Sequence, residues 1–191
     1  MGAFIVLEGL DGVGKSTLAR NLARTLGATL MSTPGDEFAT LRGDFLHALR
    51  GDQLGKALFY AATVSFQGRN ALDKVRHGDY VVMDRYWAST VAYARARGVT
   101  ADLDAMVPDI AQPSITVLIT LDEDQRVTRL TNRGATTEDI ETLCPAFRTT
   151  VMKGLQARCS LTVDITGLNE QQATAKVAEM IARFSSGSTI K

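Results

Sequence analysis

Residues 9–17 constrain the fold of this chain more than any other stretch. Their sequence fits the pattern G-x-x-x-x-G-K-[ST], and its specified positions are held by Gly9, Gly14, Lys15 and Ser16. An apolar run precedes the stretch and leucines at helical spacing follow it, which predicts the order strand, glycine loop, helix. An ordinary glycine-rich turn with an exposed lysine would not require that order. We therefore predict a phosphate-binding loop.

The chemistry of this loop follows from its backbone. Glycines allow consecutive N–H groups to converge on phosphate oxygens at the positive end of a helix. Lys15 would reach the outer phosphates of ATP, and the Ser16 hydroxyl would ligate Mg²⁺. The residues that we expect to bind ATP are Gly9, Leu10, Asp11, Gly12, Val13, Gly14, Lys15, Ser16 and Thr17.

Composition limits the classes of protein to consider. A chain of 191 residues with 45% hydrophobic residues suits one domain, which we expect to span 1–191. The 21 basic residues balance the 21 acidic ones, so no global charge favours nucleic acid or an anionic membrane as a partner. The chain does not begin with the succession of basic, apolar and small residues that is typical of a secretory signal peptide. No apolar run approaches the ~20 residues that span a bilayer. We expect a cytoplasmic protein.

The order of elements predicts an α/β fold. Apolar or β-branched runs at residues 3–7, 28–31, 80–83, 115–121 and 161–165 alternate with helical patterns, including one near 139–157 and one over 170–184. Strands that alternate with helices form parallel sheets through crossover connections. We predict a five-stranded parallel sheet flanked by helices on both faces, and a frayed tail from about residue 185 to residue 191.

Asp84 and Arg85 end the third apolar run. A carboxylate at that edge can hold a magnesium ion or its water, and an arginine beside it can bind a phosphate through two hydrogen bonds. An ordinary ion pair at the end of a strand is the alternative, but it is less favoured opposite a phosphate-binding loop. We expect Ser16 and Asp84 to form the metal site.

Three arginines recur along the helical pattern that follows the fourth strand, at Arg126, Arg129 and Arg133. Arginines on a mobile segment can neutralise the charge of a transferring phosphoryl group. A solvated helix in which the arginines pair with nearby acidic residues fits the spacing equally well.

These motifs together resemble the thymidylate kinase family of nucleoside monophosphate kinases. The resemblance rests on residues 4–17, on Asp84-Arg85-Tyr86 and on residues 113–134. In the last stretch, the positions of the family's strand-end aspartate, lid arginines and lid glycine are held by Asp122, Arg129, Arg133 and Gly134. The resemblance implies a three-layer P-loop NTPase fold with a short helical lid at about 126–142, and a homodimer.

The resemblance also implies roles for individual residues. Asp11 would contact the sugar of the acceptor nucleotide and Arg85 its phosphate, whereas Arg129 and Arg133 would act on the ATP side and on the transferring phosphoryl group. The predicted catalytic residues are Asp11, Lys15, Arg85, Arg129 and Arg133.

The chain departs from the family in its acceptor-binding residues. Where thymidylate kinases usually carry an Arg-Glu-Pro-type turn, this chain has Ser32-Thr33-Pro34-Gly35, and Arg42 is our candidate for the missing phosphate contact. Tyr60 corresponds to the base-stacking phenylalanine and Val64 to the base-reading arginine, so thymine recognition should be weaker. Several motifs look more like the thymidylate-kinase-like mitochondrial UMP/CMP kinase branch, in which Tyr93 would lie near the 2′ side of the sugar.

We therefore expect a Mg²⁺-dependent enzyme that transfers the γ-phosphoryl group of ATP to a pyrimidine nucleoside monophosphate, dTMP or dUMP, UMP or CMP. One alternative is a deoxynucleoside kinase acting on a 5′-hydroxyl, for which Glu8 would be the general base. Another is a catalytically silent relative that binds nucleotides.

Overall fold

The computed structural model of the protein describes residues 2–187, except for the side chains of residues 137, 138 and 187. The strands are β1 (Phe4–Glu8), β2 (Thr29–Ser32), β3 (Val81–Asp84), β4 (Ile115–Thr120) and β5 (Leu161–Asp164). The helices are α1 (Lys15–Leu26), α2 (Ala39–Ala48), α3 (Gln53–Arg76), α4 (Trp87–Ala96), α5 (Leu103–Met106), α6 (Glu123–Arg133), α7 (Thr137–Glu141), α8 (Pro145–Gln156) and α9 (Glu170–Gly187). A short 3₁₀ helix at Asp36–Phe38 precedes α2.

The strands form one parallel sheet in the order β2-β3-β1-β4-β5. β1 therefore lies at the centre, between β3 and β4. Leu7 pairs with Asp84 in the β1–β3 register, so the glycine loop after β1 and Arg85 after β3 emerge side by side at the carboxyl edge. The predicted α/β class with a five-stranded parallel sheet is confirmed.

Both faces of the sheet are covered. Successive residues of a strand point to opposite faces, and in β1 Phe4 and Val6 belong to one apolar cluster whereas Ile5 and Leu7 belong to another. The first cluster includes residues of α3, and the second includes residues of α1, α4, α8 and α9. Because both faces of β1 are buried, its first four residues are a continuous apolar run and do not alternate with polar residues.

Two boundaries differ from the sequence prediction. The helix expected over 139–157 is two helices, because a capping box between Thr136 and Asp139 begins α7 and Pro145 begins α8. The tail expected to fray from residue 185 continues α9 to Gly187, and residues 188–191 lie outside the described residues. No helix in the described part of the chain is long and apolar enough to cross a membrane.

Helices α4 and α8 pack closely at Gly154. A Cβ atom added there would lie 2.8 Å from the Cβ of Ala92 and 3.1 Å from its Cα. The close approach of the two helices therefore depends on the missing side chain, and it matters because α4 carries several residues of the site described below. Gly43, inside the exposed helix α2, has no atom within 4 Å of the same added Cβ.

The pair of glycines gives a matched test. Gly43→Ala should raise the free energy of unfolding by up to about 1 kcal/mol, because alanine favours helix more than glycine does. Gly154→Ala gains the same propensity but overpacks the α4–α8 contact, so it should be less stable than Gly43→Ala by about 1–3 kcal/mol. Urea denaturation measures both values. Equal stability of the two variants would contradict the close packing.

Candidate functional site

The glycine loop joins β1 to α1 at the carboxyl edge of the sheet. Gly9 and Gly12 have φ of +151° and +88°, and an added Cβ would lie 2.6 Å from the Ile119 carbonyl oxygen at Gly9 and 2.7 Å from the Leu130 side chain at Gly12. Glycine is needed at both positions because a side chain would be strained as well as crowded. The packing brings the loop directly against β4 and α6.

Lys15 begins α1 and lies under the loop. Its side chain is buried, and Nζ donates a hydrogen bond of 2.7 Å to the Leu10 carbonyl oxygen. Burial, together with the positive charge of Arg85, lowers the pKa of Lys15 to about 8. The loop thus holds a cation that a bound anion would stabilise.

Ser16 and Asp84 meet where α1 and β3 approach each other. Ser16 Oγ donates to Asp84 Oδ2 at 2.5 Å, whereas Asp84 Oδ1 is buried and has no hydrogen-bond partner. A hydroxyl beside an unsatisfied carboxylate oxygen suits a hard cation such as Mg²⁺, which prefers oxygen ligands and takes the others from water or phosphate. The described residues contain no cluster of three or more His, Cys, Asp or Glu side chains, and such a magnesium site needs none.

A cavity of about 330 Å³ lies beside Asp84, between the start of α3 and α4; we call it the α4 cavity. It brings together five of the six residues predicted to bind the acceptor, which are Asp11, Arg42, Tyr60, Arg85 and Tyr93. These five residues come from five separate elements, namely the glycine loop, α2, α3, the turn after β3 and α4, and only the fold joins them.

Asp11 and Arg85 form an ion pair at the floor of the α4 cavity. Arg85 has a φ of +66° and is the one non-glycine residue with positive φ in the described part of the chain. Burial alone would raise the pKa of Asp11, but the positive charges of Arg85 and Lys15 outweigh it and hold the pKa well below its usual range. Asp11 is therefore a carboxylate that links the glycine loop to Arg85.

Tyr93, on α4, contacts both members of the Asp11–Arg85 pair. Its hydroxyl donates to Asp11 Oδ2 at 2.8 Å, and the guanidinium groups of Arg85 and Arg97 lie 5.4 and 5.6 Å from the centre of its ring. Burial raises the pKa of Tyr93, so the phenol stays protonated and remains a donor to Asp11. The ring is fixed by its contacts with the two cations.

Tyr60 and Arg42 form the opposite wall. Arg42 Nε donates to the Tyr60 hydroxyl at 3.2 Å, which ties the Tyr60 side chain to the first turn of α2. The structure does not bring Val64 to the cavity. Val64 lies one helical turn from Tyr60 but is completely buried in the apolar cluster with Phe4 and Val6. The prediction that Val64 contacts the acceptor needs this correction, because its face of α3 packs on the sheet.

Arg126 and the two predicted lid arginines, Arg129 and Arg133, occupy three different environments. Arg126 is 1% exposed and donates to the Asp11 carbonyl oxygen at 2.8 Å and to both oxygens of Thr142. Arg129 Nη1 donates to the Val13 carbonyl oxygen of the glycine loop at 3.0 Å. Arg133 is half exposed and pairs with Asp139 at 2.6 Å. Spacing alone could not separate these roles.

A second cavity, of about 340 Å³, lies on the other side of the glycine loop, and we call it the α9 cavity. Gly14 and Arg129 line it from the loop and α6, and Leu168 and Asn169 line it from the segment before α9. The loop therefore separates two cavities, and Arg129 reaches over the one that the sequence did not predict.

Sequence reasoning missed several residues of the α4 cavity, among them Ser89 and Arg97, which contact the predicted residues Arg85 and Tyr93. Arg97 donates to both carboxylate oxygens of Glu141, the shortest contact being 2.6 Å, and so ties the end of α4 to the end of α7. A signal was present, because Ser89, Tyr93 and the C-cap residue Arg97 recur every four residues and so share one face of α4.

Glu8 lies outside the α4 cavity, contrary to the role considered for it as a base on a 5′-hydroxyl. Its carboxylate is completely buried, and it accepts hydrogen bonds from the backbone N–H groups of Tyr86 and Ser89 and from the Ser89 hydroxyl. The deoxynucleoside kinase alternative therefore loses the base that the sequence suggested for it.

Comparison with known proteins agrees with this arrangement. The family model described as thymidylate kinase matches residues 7–181. A thymidylate kinase of Gluconobacter oxydans is 34% identical over 176 residues, which cover 83% of this chain and 82% of that protein. A probable thymidylate kinase of Archaeoglobus fulgidus is 31% identical over 137 residues, covering 68% of this chain and 70% of that protein.

The fold also matches solved structures. Thymidylate kinase from Candida albicans superimposes with a TM-score of 0.78 at 22% identity, covering 96% of this chain and 92% of that one. The enzyme from Ehrlichia chaffeensis gives a TM-score of 0.70 at 21% identity, covering 94% of this chain and 98% of that one. At these identities the likeness concerns the fold, and the family model and the curated relatives supply the assignment. The chain belongs to the thymidylate kinase family of nucleoside monophosphate kinases.

Proposed function

We propose that this protein transfers the γ-phosphoryl group of ATP to the phosphate of a pyrimidine nucleoside monophosphate, giving ADP and the nucleoside diphosphate. The observation that carries the proposal is the Asp11–Arg85 pair, which lies between the glycine loop and the α4 cavity. A donor phosphate on the loop and an acceptor phosphate on Arg85 would therefore meet at one point.

The donor side is built from the loop and the α9 cavity. The loop amides and the Lys15 ammonium would hold the β- and γ-phosphates. The α9 cavity, which Arg129 lines, would take the adenine base, because a guanidinium stacks well on a flat ring. Ser16 and Asp84 would hold Mg²⁺, which supplies charge neutralisation to the bound phosphates when it is present.

The acceptor side is the α4 cavity. Arg85 would bind the acceptor phosphate through two hydrogen bonds, with Arg42 as a second cation from the opposite wall. Tyr60 would stack on the base, and Asp11 and Tyr93 would face the sugar. Phosphoryl transfer needs little covalent chemistry from the protein, so alignment and charge stabilisation supply the catalysis.

We assign the lid to residues 126–142 of a single domain that spans the chain. Arg129 already contacts the loop, and Arg133 is held by Asp139, so both lie on the segment that would cover the transferring group. Arg126 anchors the base of this segment to Asp11 and is a structural member of it.

We also propose that the chain forms a homodimer. Four large apolar side chains on α2 and α3 are well exposed, namely Leu41, Phe45, Leu54 and Leu58. An apolar patch on adjacent helices supports an association surface.

An acceptor panel tests the reaction. ATP consumption should occur with dTMP, dUMP, UMP, dCMP or CMP, and nucleosides lacking the phosphate should be inert because Arg85 then has no ligand. Since Val64 offers no polar contact to the base, we expect kcat/KM values to differ by less than about 100-fold among the pyrimidine nucleotides. Absence of turnover with every monophosphate would refute the kinase assignment for this chain.

The lid arginines give a second test. Replacement of both Arg129 and Arg133 by alanine should lower kcat by about 10²–10³-fold, the usual cost of removing groups that stabilise transition-state charge. Arg129→Ala alone should have the larger effect of the two single changes, because Arg129 contacts the loop. Arg24→Ala, an exposed arginine on α1, is the control. A double variant with turnover within a few-fold of wild type would remove these residues from catalysis.

Lys15 should make ATP binding depend on pH. In the nucleotide-free chain its pKa is about 8, and bound phosphates would raise that value. Binding then requires proton uptake above pH 8, so the Kd for ATP should increase with pH by up to about tenfold per unit. Titration calorimetry between pH 7 and 9.5 measures this slope. Lys15→Arg, which stays charged, should bind with a Kd that is flat over the range; a flat wild-type profile would contradict the prediction.

A further inference from the structure

Glu8 is a buried titratable group for which the proposed reaction has no direct use. It is the last residue of β1 and 0% exposed, and burial raises its pKa although hydrogen bonds from Ser89 oppose the shift. A buried carboxylate is costly unless several donors satisfy it. Such a residue, placed between the glycine loop and α4, calls for a specific role.

The donors to Glu8 come from the beginning of α4. Oε1 accepts from the N–H groups of Tyr86 at 2.9 Å and Ser89 at 3.1 Å. Tyr86 is the N-cap residue of α4 and its side chain makes no capping hydrogen bond. Glu8 therefore caps α4 from a neighbouring strand, where a negative charge at a helix N-terminus is favourable.

The other oxygen of Glu8 fixes the direction of a hydroxyl. Oε2 accepts from Ser89 Oγ, and the same Oγ accepts from Arg85 Nη1 at 3.1 Å. A serine hydroxyl has one proton and two lone pairs. Since a carboxylate can only accept, the proton of Ser89 must point to Glu8, and a lone pair is left to face Arg85.

The backbone and the guanidinium of Arg85 are held by different contacts. Its φ of +66° is unfavourable for a residue with a side chain, and two contacts hold it, from Arg85 N–H to the Leu7 carbonyl oxygen at 3.0 Å and from Thr33 Oγ1 to the Arg85 carbonyl oxygen at 3.1 Å. Those contacts fix the main chain. The orientation of the guanidinium is set by Asp11 on one side and by Ser89 on the other.

We propose that Glu8 is a positioning residue that acts through Ser89 to hold the Arg85 guanidinium in the orientation that binds the acceptor phosphate. The proposal rests on the role given to Arg85 in the proposed function. It assigns Glu8 to the acceptor side of the site, although Glu8 directly precedes the donor loop in sequence.

Two variants test the proposal, one at Glu8 and one at Ser89. Glu8→Gln keeps the shape of the side chain but turns Oε2 into an N–H donor, so the proton of the Ser89 hydroxyl loses its acceptor and competes with Arg85 Nη1 for the remaining side of Oγ. Ser89→Ala removes the contact to Arg85 while Glu8 keeps its two backbone donors. Each variant should raise the KM for the acceptor by roughly 10- to 100-fold, which is the scale expected when a binding group is displaced. The KM for ATP should stay within about twofold of the wild-type value.

The double variant measures whether the effects of the Glu8 and Ser89 changes on the acceptor KM are coupled. If Glu8 acts through Ser89, Glu8→Gln with Ser89→Ala should raise the acceptor KM no more than the larger single change does. Ser114→Ala is the structural control, since Ser114 Oγ accepts from the Phe4 N–H at 3.0 Å at the other end of β1. It should lower stability without moving the acceptor KM.

A second readout needs no substrate. In the nucleotide-free wild type, the guanidinium N–H groups of Arg85 should give distinct NMR signals that exchange slowly with water. In both variants these signals should average together and exchange rapidly with water. Ser114→Ala should leave them as in the wild type. Unchanged Arg85 signals, or equal increases in the KM for both substrates, would overturn the role of Glu8. A wild type that phosphorylates no monophosphate would refute the proposed function, and the NMR comparison would still decide whether Glu8 positions Arg85.

Discussion

The ion pair between Asp11 and Arg85 is the interaction on which the geometry of the site depends. Asp11 comes from the loop after β1 and Arg85 from the turn after β3, and the parallel register of the two strands brings them to one edge. Both side chains are only partly buried, at 23% and 22% exposure, so removing one partner would leave a charge that water compensates in part. Tyr93 adds a hydrogen bond to Asp11, so the loop, the turn and α4 are joined at one carboxylate.

Arginines also assemble the segment that follows α6. Asp139, Glu141 and Thr142 are each bound by a different arginine, and these come from α6 and from the end of α4. The zero net charge of the chain conceals this arrangement, because cations and anions are paired across the site. The proposed lid, which includes α7, is thereby joined to the end of α4 by the pair between Arg97 and Glu141.

Much of the fold could be predicted because its signals are local. Apolar runs bounded by glycine, proline and polar residues identified each strand, and the glycine pattern fixed the loop before α1. The break between α7 and α8 was missed because it depends on a capping box and a proline within one continuous amphipathic pattern. Val64 was misassigned because the helical face that packs on the sheet is decided by contacts distant in sequence.

The sequence by itself determined the phosphate-binding loop, the carboxylate and arginine after β3, and the family, since each depends on residue types at fixed short spacings. The tertiary structure alone decided which arginine is buried under the loop, which cavity Tyr60 faces, and which groups donate hydrogen bonds to Glu8. Glu8 and Ser89 are 81 positions apart along the chain, and their contact exists because parallel strands bring their carboxyl ends together. A carboxylate near a phosphate site can be a base, a ligand or a cap, and only its hydrogen-bond partners distinguish these roles.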